Sequence, residues 1–80
     1  MQPDQKHQNI AISGKQAVMA RAALGWSLPD VRARTGFSVN TVLNFEKGRG
    51  TQLKTMTTLA QIYQEEGVRF QPDGMTVSAP

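Results

Sequence analysis

The feature that most constrains this 80-residue chain is a punctuation repeated three times, with serine at one end of a helix-forming run and glycine at the other. The runs are Ser13 to Gly25, Ser27 to Gly36 and Ser38 to Gly48. A serine in extended backbone accepts a hydrogen bond from the amide three residues on, and glycine takes the left-handed turn that ends a helix without steric penalty. Three such units in succession leave room only for short helices joined by tight turns. Gln16 stands where its side chain can reach back to the Ser13 amide, the reciprocal capping arrangement, and Ala17–Leu24 has high intrinsic helicity. After Ser27, Leu28-Pro29-Asp30 places proline in the first turn, where its missing N–H is not needed, and an acid near the positive end of the helix dipole. Ser38 opens a third helix, from Val39 to about Lys47, which runs into Gly48-Arg49-Gly50.

A fourth helix is expected from about Gln52 or Lys54 to Glu66, because Leu53, Met56, Leu59, Ile62 and Tyr63 form an apolar stripe and Gly67 follows. Its methionine reads as core filler. Val68–Gln71 and Met75–Val77 then flank Pro72-Asp73-Gly74, a turn sequence that suggests a hairpin. Two strands alone are marginal in water, so the hairpin must pack on something. Met1–Ile12 is polar, carries Pro3 and lacks a helical period, which reads as a mobile arm with one short extended piece near Ile10 and Ile12. The expected fold is all-α: a small four-helix bundle with a short C-terminal β-hairpin. Its divisions are an arm over 1–12, a helical domain over 13–67, and the hairpin and tail over 68–80.

Composition narrows the function. The chain is long enough for one domain with one core. With no cysteine, and His7 alone in a polar stretch, neither a disulfide framework nor a metal site is expected. Apolar runs reach only four residues (Ala17–Ala20), and the first ten residues lack the pattern of a secretion signal, so no membrane association and a cytoplasmic location are expected. No His, Ser and Asp arrangement supports nucleophilic catalysis, and Gly48-Arg49-Gly50 has neither the preceding strand nor the following lysine-serine of a phosphate loop. The chain is therefore not read as an enzyme, and no cofactor is expected. Trp26 and Phe37 read as core residues flanking the second helix, and Glu65-Glu66 as a helix end facing water.

Net charge is +3, but its position matters more. From Arg32 to Lys54 lie five basic residues, Arg32, Arg34, Lys47, Arg49 and Lys54, against the single acid Glu46. Such a patch concentrates a polyanion, although charge alone fits an ordinary solvated face equally well. The third helix adds a pattern. At 100° per residue Asn40, Leu43, Asn44 and Lys47 share one sector, while Val42 and Phe45 point the other way with Glu46 at their edge. A carboxamide offers one acceptor and two donors in a planar fork, which suits the N6 and N7 edge of adenine in the major groove. Lys47 and Arg49 can neutralise phosphates beside it.

With Arg21, Ser27, Val31, Gly36, Ser38, Thr41-Val42, Phe45-Glu46 and Gly48 in this order and at these intervals, the stretch from Ser13 to Gly67 resembles the helix-turn-helix domain of the Cro/C1-type (XRE) phage and bacterial regulators. The resemblance covers about two thirds of the chain. It implies a lambda-repressor-like bundle in which Arg21 pairs with Glu46 and ties the recognition helix to the first helix. Carried over by position, DNA contacts would come from Ser38, Val39, Asn40, Thr41, Leu43 and Asn44, with Lys47, Arg49 and Thr51 near the backbone. Val39 and Leu43 either meet thymine methyl groups or belong to packing. Leu28, Arg32 and Thr35 depart from the family pattern, which more often has a glutamine, a small alanine and a more apolar residue there.

The implied function is sequence-specific binding of double-stranded DNA as a transcriptional regulator, a repressor of the phage, plasmid or mobile-element kind. Regulators of this size act as homodimers on palindromic operators. Val68, Phe70, Met75 and Val77 are the candidate dimer contacts, unless they simply cover the fourth helix of their own subunit. The alternative is a protein-interaction module, an antitoxin or antiactivator, whose partner is a regulatory protein. Leu28 and Leu43 exposed on the basic face would favour it.

Overall fold

The structure, a computed structural model, describes residues 11–49 and 52–79. It is mostly helical: α1 (Gly14–Leu24), α2 (Leu28–Thr35), α3 (Val39–Glu46) and α4 (Leu53–Glu65) precede a two-stranded hairpin, β1 (Arg69–Phe70) and β2 (Val77–Ser78). The serine punctuation operates as local chemistry requires. Ser13 Oγ accepts from the Gln16 amide at 3.0 Å while Gln16 Oε1 accepts from the Ser13 amide at 3.1 Å. At Ser27 the acid does more than face a dipole, because Asp30 closes a second reciprocal cap by accepting from the Ser27 amide at 2.8 Å. That bond holds its carboxyl below the usual carboxylate range. Gly25 and Gly36 end α1 and α2 at φ of 70° and 81°, in the left-handed region that a side chain would strain.

The core gathers one stripe from each helix: Ala17 and Ala20 from α1, Val31 from α2, Val42 and Phe45 from α3, and Leu59, Ala60 and Tyr63 from α4. Trp26, Phe37, Met56 and Ile62 are half-buried against it, as core filler should be. Leu53 corrects the expected α4 stripe. It stands exposed at the first helical position, while Thr55 turns inward instead. Ile12 also departs from expectation, since this last residue of the anticipated arm is buried in the core; residues 1–10, where the rest of that arm falls, lie outside the described residues.

Two close approaches fix how the elements sit. A Cβ on Gly14 would come within 2.5 Å of the Glu46 carbonyl oxygen and 2.6 Å of that of Phe45, so the first turn of α1 can press on the end of α3 only because residue 14 has no side chain. The second involves Gln16, which is fully buried. Its Nε2 donates to the carbonyls of Gln71 at 2.8 Å and Thr76 at 2.9 Å, the two residues that close the hairpin mouth. Ser13 Oγ adds a bond to the Gly74 carbonyl. Within the loop Asp73 accepts from the amides of Met75 and Thr76 and from the Thr76 hydroxyl, which holds its carboxyl low.

The hairpin is antiparallel, with Phe70 opposite Val77. It lies on its own chain, which corrects part of the expected dimer surface. Val68 is 1% exposed and belongs to the core, so its side chain offers nothing to a second copy. Phe70 and Val77 are half-buried against the same core, Phe70 with its ring centroid 6.4 Å from that of Tyr63. Only Met75 of the four stands open, at 57%.

Two substitutions test this packing. Gln16→Leu removes both side-chain bonds and leaves the two carbonyls with their backbone donors alone, the Gly74 amide for Gln71 and the Gln71 amide for Thr76, so it lowers stability by about 1 to 3 kcal/mol and removes exchange protection at the Gln71 amide before that of the helices. Tyr63 carries a buried hydroxyl without a hydrogen-bond partner among the described residues, and burial together with the nearby Glu46 charge pushes its pKa up to about 12. Tyr63→Phe therefore raises the urea midpoint, with the slope unchanged, by about 1 kcal/mol of added stability.

Candidate functional site

α3 is only eight residues, too short to hold its shape in water by itself. Its conformation comes from its two ends and its buried side. At the start, Ser38 Oγ accepts from the Thr41 amide at 3.1 Å and lies 2.9 Å from Thr41 Oγ1, so both hydroxyls are engaged in the cap. Along the buried side Val42 and Phe45 enter the core, and Glu46 follows them instead of staying at their edge.

Glu46 is the unusual member, a carboxylate whose side chain is 3% exposed. Arg21 meets it with a two-pronged grip: Nε donates to Oε2 at 2.7 Å and Nη2 to Oε1 at 2.9 Å. Nη1 donates to the Trp26 carbonyl at 3.2 Å, so one guanidinium spans α1, the α1–α2 turn and α3. The hydrogen bond to Glu46 raises the Arg21 pKa above its already high ordinary value. Such paired geometry is the strongest form of charge-assisted hydrogen bonding.

The opposite side of α3 is open. Asn40 and Asn44 are exposed and their carboxamides make no hydrogen bond among the described residues; Lys47 and Arg49 beside them are exposed as well. Val39, Thr41 and Leu43 are half-buried, so the two aliphatics have one edge in the packing and one in solvent. Thr51 lies outside the described residues. Because Glu46 is sealed against Arg21, the exposed charge of the stretch from Arg32 to Lys54 is wholly positive.

Two of the three departures from the resembled pattern, Leu28 and Thr35, have a local explanation. Leu28 is half-buried against the core and is not a free apolar contact. Arg32 stays exposed. Thr35 Oγ1 donates to the Val31 carbonyl at 2.8 Å and accepts from the Phe37 amide at 3.0 Å, so the hydroxyl stitches the end of α2 to the turn before α3.

Between the end of α3 and the start of α4 lies a cleft of about 300 Å³ lined by Thr41, Asn44, Arg49, Gln52 and Thr55. Gln52 and Thr55 were not among the residues expected at the site. The only trace of them in the sequence is a fourth helix that begins without a serine, threonine, asparagine or aspartate cap, and Gln52 indeed makes no side-chain capping bond. Among the described residues no group of three or more histidine or acidic side chains lies together as metal ligands would, and no helix is long and apolar enough to cross a membrane.

No protein-family model, curated protein or solved structure matches this chain.

Removing Arg21 tests the anchor of the site. Arg21→Ala leaves the Glu46 carboxylate buried without its partner, so the loss is about 3 to 5 kcal/mol and the melting temperature falls sharply. Replacing both residues together, Arg21→Met with Glu46→Leu, recovers most of that loss, because no charge is then stranded. Urea titration of the single and double variants reads both effects.

Proposed function

We propose that this chain is a sequence-specific double-stranded DNA-binding transcriptional regulator of the lambda-repressor-like helix-turn-helix kind. In this reading α2 and α3 form the motif, and α3 enters the major groove. The observation that carries it is the division of α3 into two sides: Val42, Phe45 and Glu46 are locked to the bundle, while Asn40 and Asn44 stand exposed with uncommitted amides between exposed cations. An α-helix matches the major groove in width, and eight residues extend about 12 Å, enough to face three or four base pairs.

Asn40 and Asn44 then read base edges, Val39 and Leu43 touch thymine methyl groups with their open edges, and Ser38 and Thr41 hold the end of the helix that enters first. Lys47, Arg49 and, in the family pattern, Thr51 meet the phosphates. A homodimer on a palindromic operator, with half-sites about one helical turn apart, would cover a promoter and act as a repressor of the phage, plasmid or mobile-element kind in the cytoplasm. Of the four candidate dimer contacts, Met75 is the one that stands exposed to such a partner copy. The alternative, an antitoxin or antiactivator that holds a regulatory protein, loses the support it would take from Leu28, which packs inward.

Two measurements test the reading. If each subunit neutralises about four phosphates, log K for the dimer against log salt slopes near −7; a binding constant indifferent to salt refutes it. Asn44→Ala reduces the ratio of cognate to random-site affinity, by about 1 to 3 kcal/mol of discrimination, whereas Lys47→Ala weakens both about equally.

A further inference from the structure

The cleft between α3 and α4 has a composition that the base-reading role of α3 does not explain. Among the described residues its lining has one cation, Arg49, two carboxamides, Asn44 and Gln52, two hydroxyls, Thr41 and Thr55, and no acid. Thr55 is 7% exposed and lines the cleft, and its hydroxyl makes no hydrogen bond among the described residues. The amides of Leu53, Lys54 and Thr55 likewise have no acceptor among the described residues, since the first bond of α4 runs from the Met56 amide to the Gln52 carbonyl. These amides open the thirteen-residue α4 at its positive end, and no side chain of Gln52 occupies them.

We propose that this cleft is a seat for a phosphate ester, and that a small free phosphorylated polyol filling it displaces the duplex. The proposal rests on the DNA-binding reading for its second half only. The phosphate goes to Arg49 and the α4 amides. The polyol hydroxyls go to the carboxamides and threonines, each of which can both donate and accept. A volume of about 300 Å³ is at the small end of ligand sites and suits a five- or six-carbon sugar phosphate. The same chemistry, a sugar carrying a phosphate, is offered by a DNA backbone. Asn44, Arg49 and Thr41 belong to both the cleft and the proposed DNA face, so an occupied cleft takes the Asn44 amide away from base edges.

The test uses the full chain and ribose 5-phosphate as probe, with ribose and sodium sulfate at matched ionic strength as controls. Amide chemical shifts move saturably at Thr41, Asn44, Arg49, Gln52 and Thr55, with a dissociation constant near 1 mM, about the affinity expected of so small a ligand. Arg49→Gln and Thr55→Val each weaken the probe about tenfold, while Lys15→Gln, which removes an exposed charge on α1, leaves it unchanged. Arg49 is exposed, so its variant keeps the test valid if Thr55→Val loosens the fold.

In the second arm, duplex selected from a random pool is titrated with the probe, and its apparent dissociation constant rises about twofold at a probe concentration equal to the probe's own constant. Shifts that follow sulfate as closely as ribose 5-phosphate overturn the seat. A probe that binds in the cleft without weakening the duplex beyond the sulfate control overturns the displacement and leaves the cleft to the DNA backbone. If no duplex is enriched while the probe still binds, the DNA-binding reading fails and the seat stands.

Discussion

The junction between α1 and the end of α3 governs the rest of the structure. Isolated, an eight-residue helix would melt, so every property of the exposed side of α3 depends on what grips the other side. That grip has a polar and a steric half. Arg21 clasps Glu46 with two short hydrogen bonds, and Gly14 lets the α1 backbone lie directly against the Phe45 and Glu46 carbonyls. A leucine in place of Glu46 could fill similar volume at no desolvation cost, but apolar contact is not directional. The paired fork fixes both the rotation of α3 about its axis and its position along α1, and rotation decides which residues face outward.

Gln16 does for the hairpin what Arg21 does for α3. Two strands of two residues each cannot sustain themselves, and their carbonyls at Gln71 and Thr76 turn toward a fully buried amide instead of water. With the hairpin seated in this way, Val68 is covered in the core, and the Trp26, Tyr63 and Phe70 rings follow one another at centroid distances of 5.9 and 6.4 Å. The Tyr63 hydroxyl is left buried without a partner among the described residues, so the aromatic packing here outweighs the hydrogen bond that is forgone.

What could be read from the sequence divides by range. The caps at Ser13, Ser27 and Ser38 were legible because their bonds span three residues, and helix boundaries followed from them to within a residue or so. The outward placement of Asn40 and Asn44 follows from helical period alone. Gln16 was legible only in its local role, since its other partners lie 55 and 60 residues away in sequence. Gly14 gives no sign in the sequence that it sits against another backbone. Alternation in so short a hairpin does not say which face is inward, so Val68 stood as a candidate dimer contact or a cover for its own fourth helix, and it belongs to the core. Arg21 and Glu46 are 25 positions apart, and no spacing rule joins them; their pairing came from the family pattern. The cleft lay beyond reach because it forms only where the ends of α3 and α4 meet.

The Arg21–Glu46 pair has a second consequence, an electrostatic one. Between Arg32 and Lys54 the chain has five cations and one acid, and that acid is the residue chosen for burial. Had Glu46 stayed exposed, next in sequence to Lys47 and three residues before Arg49, its charge would have cancelled part of the positive field at this face. Sealing it against Arg21, whose own charge is spent in the same contact, leaves the exposed Lys47 and Arg49 without an acid beside them on this stretch. A single ion pair thus sets both the angle at which α3 presents its amides and the sign of the potential around them.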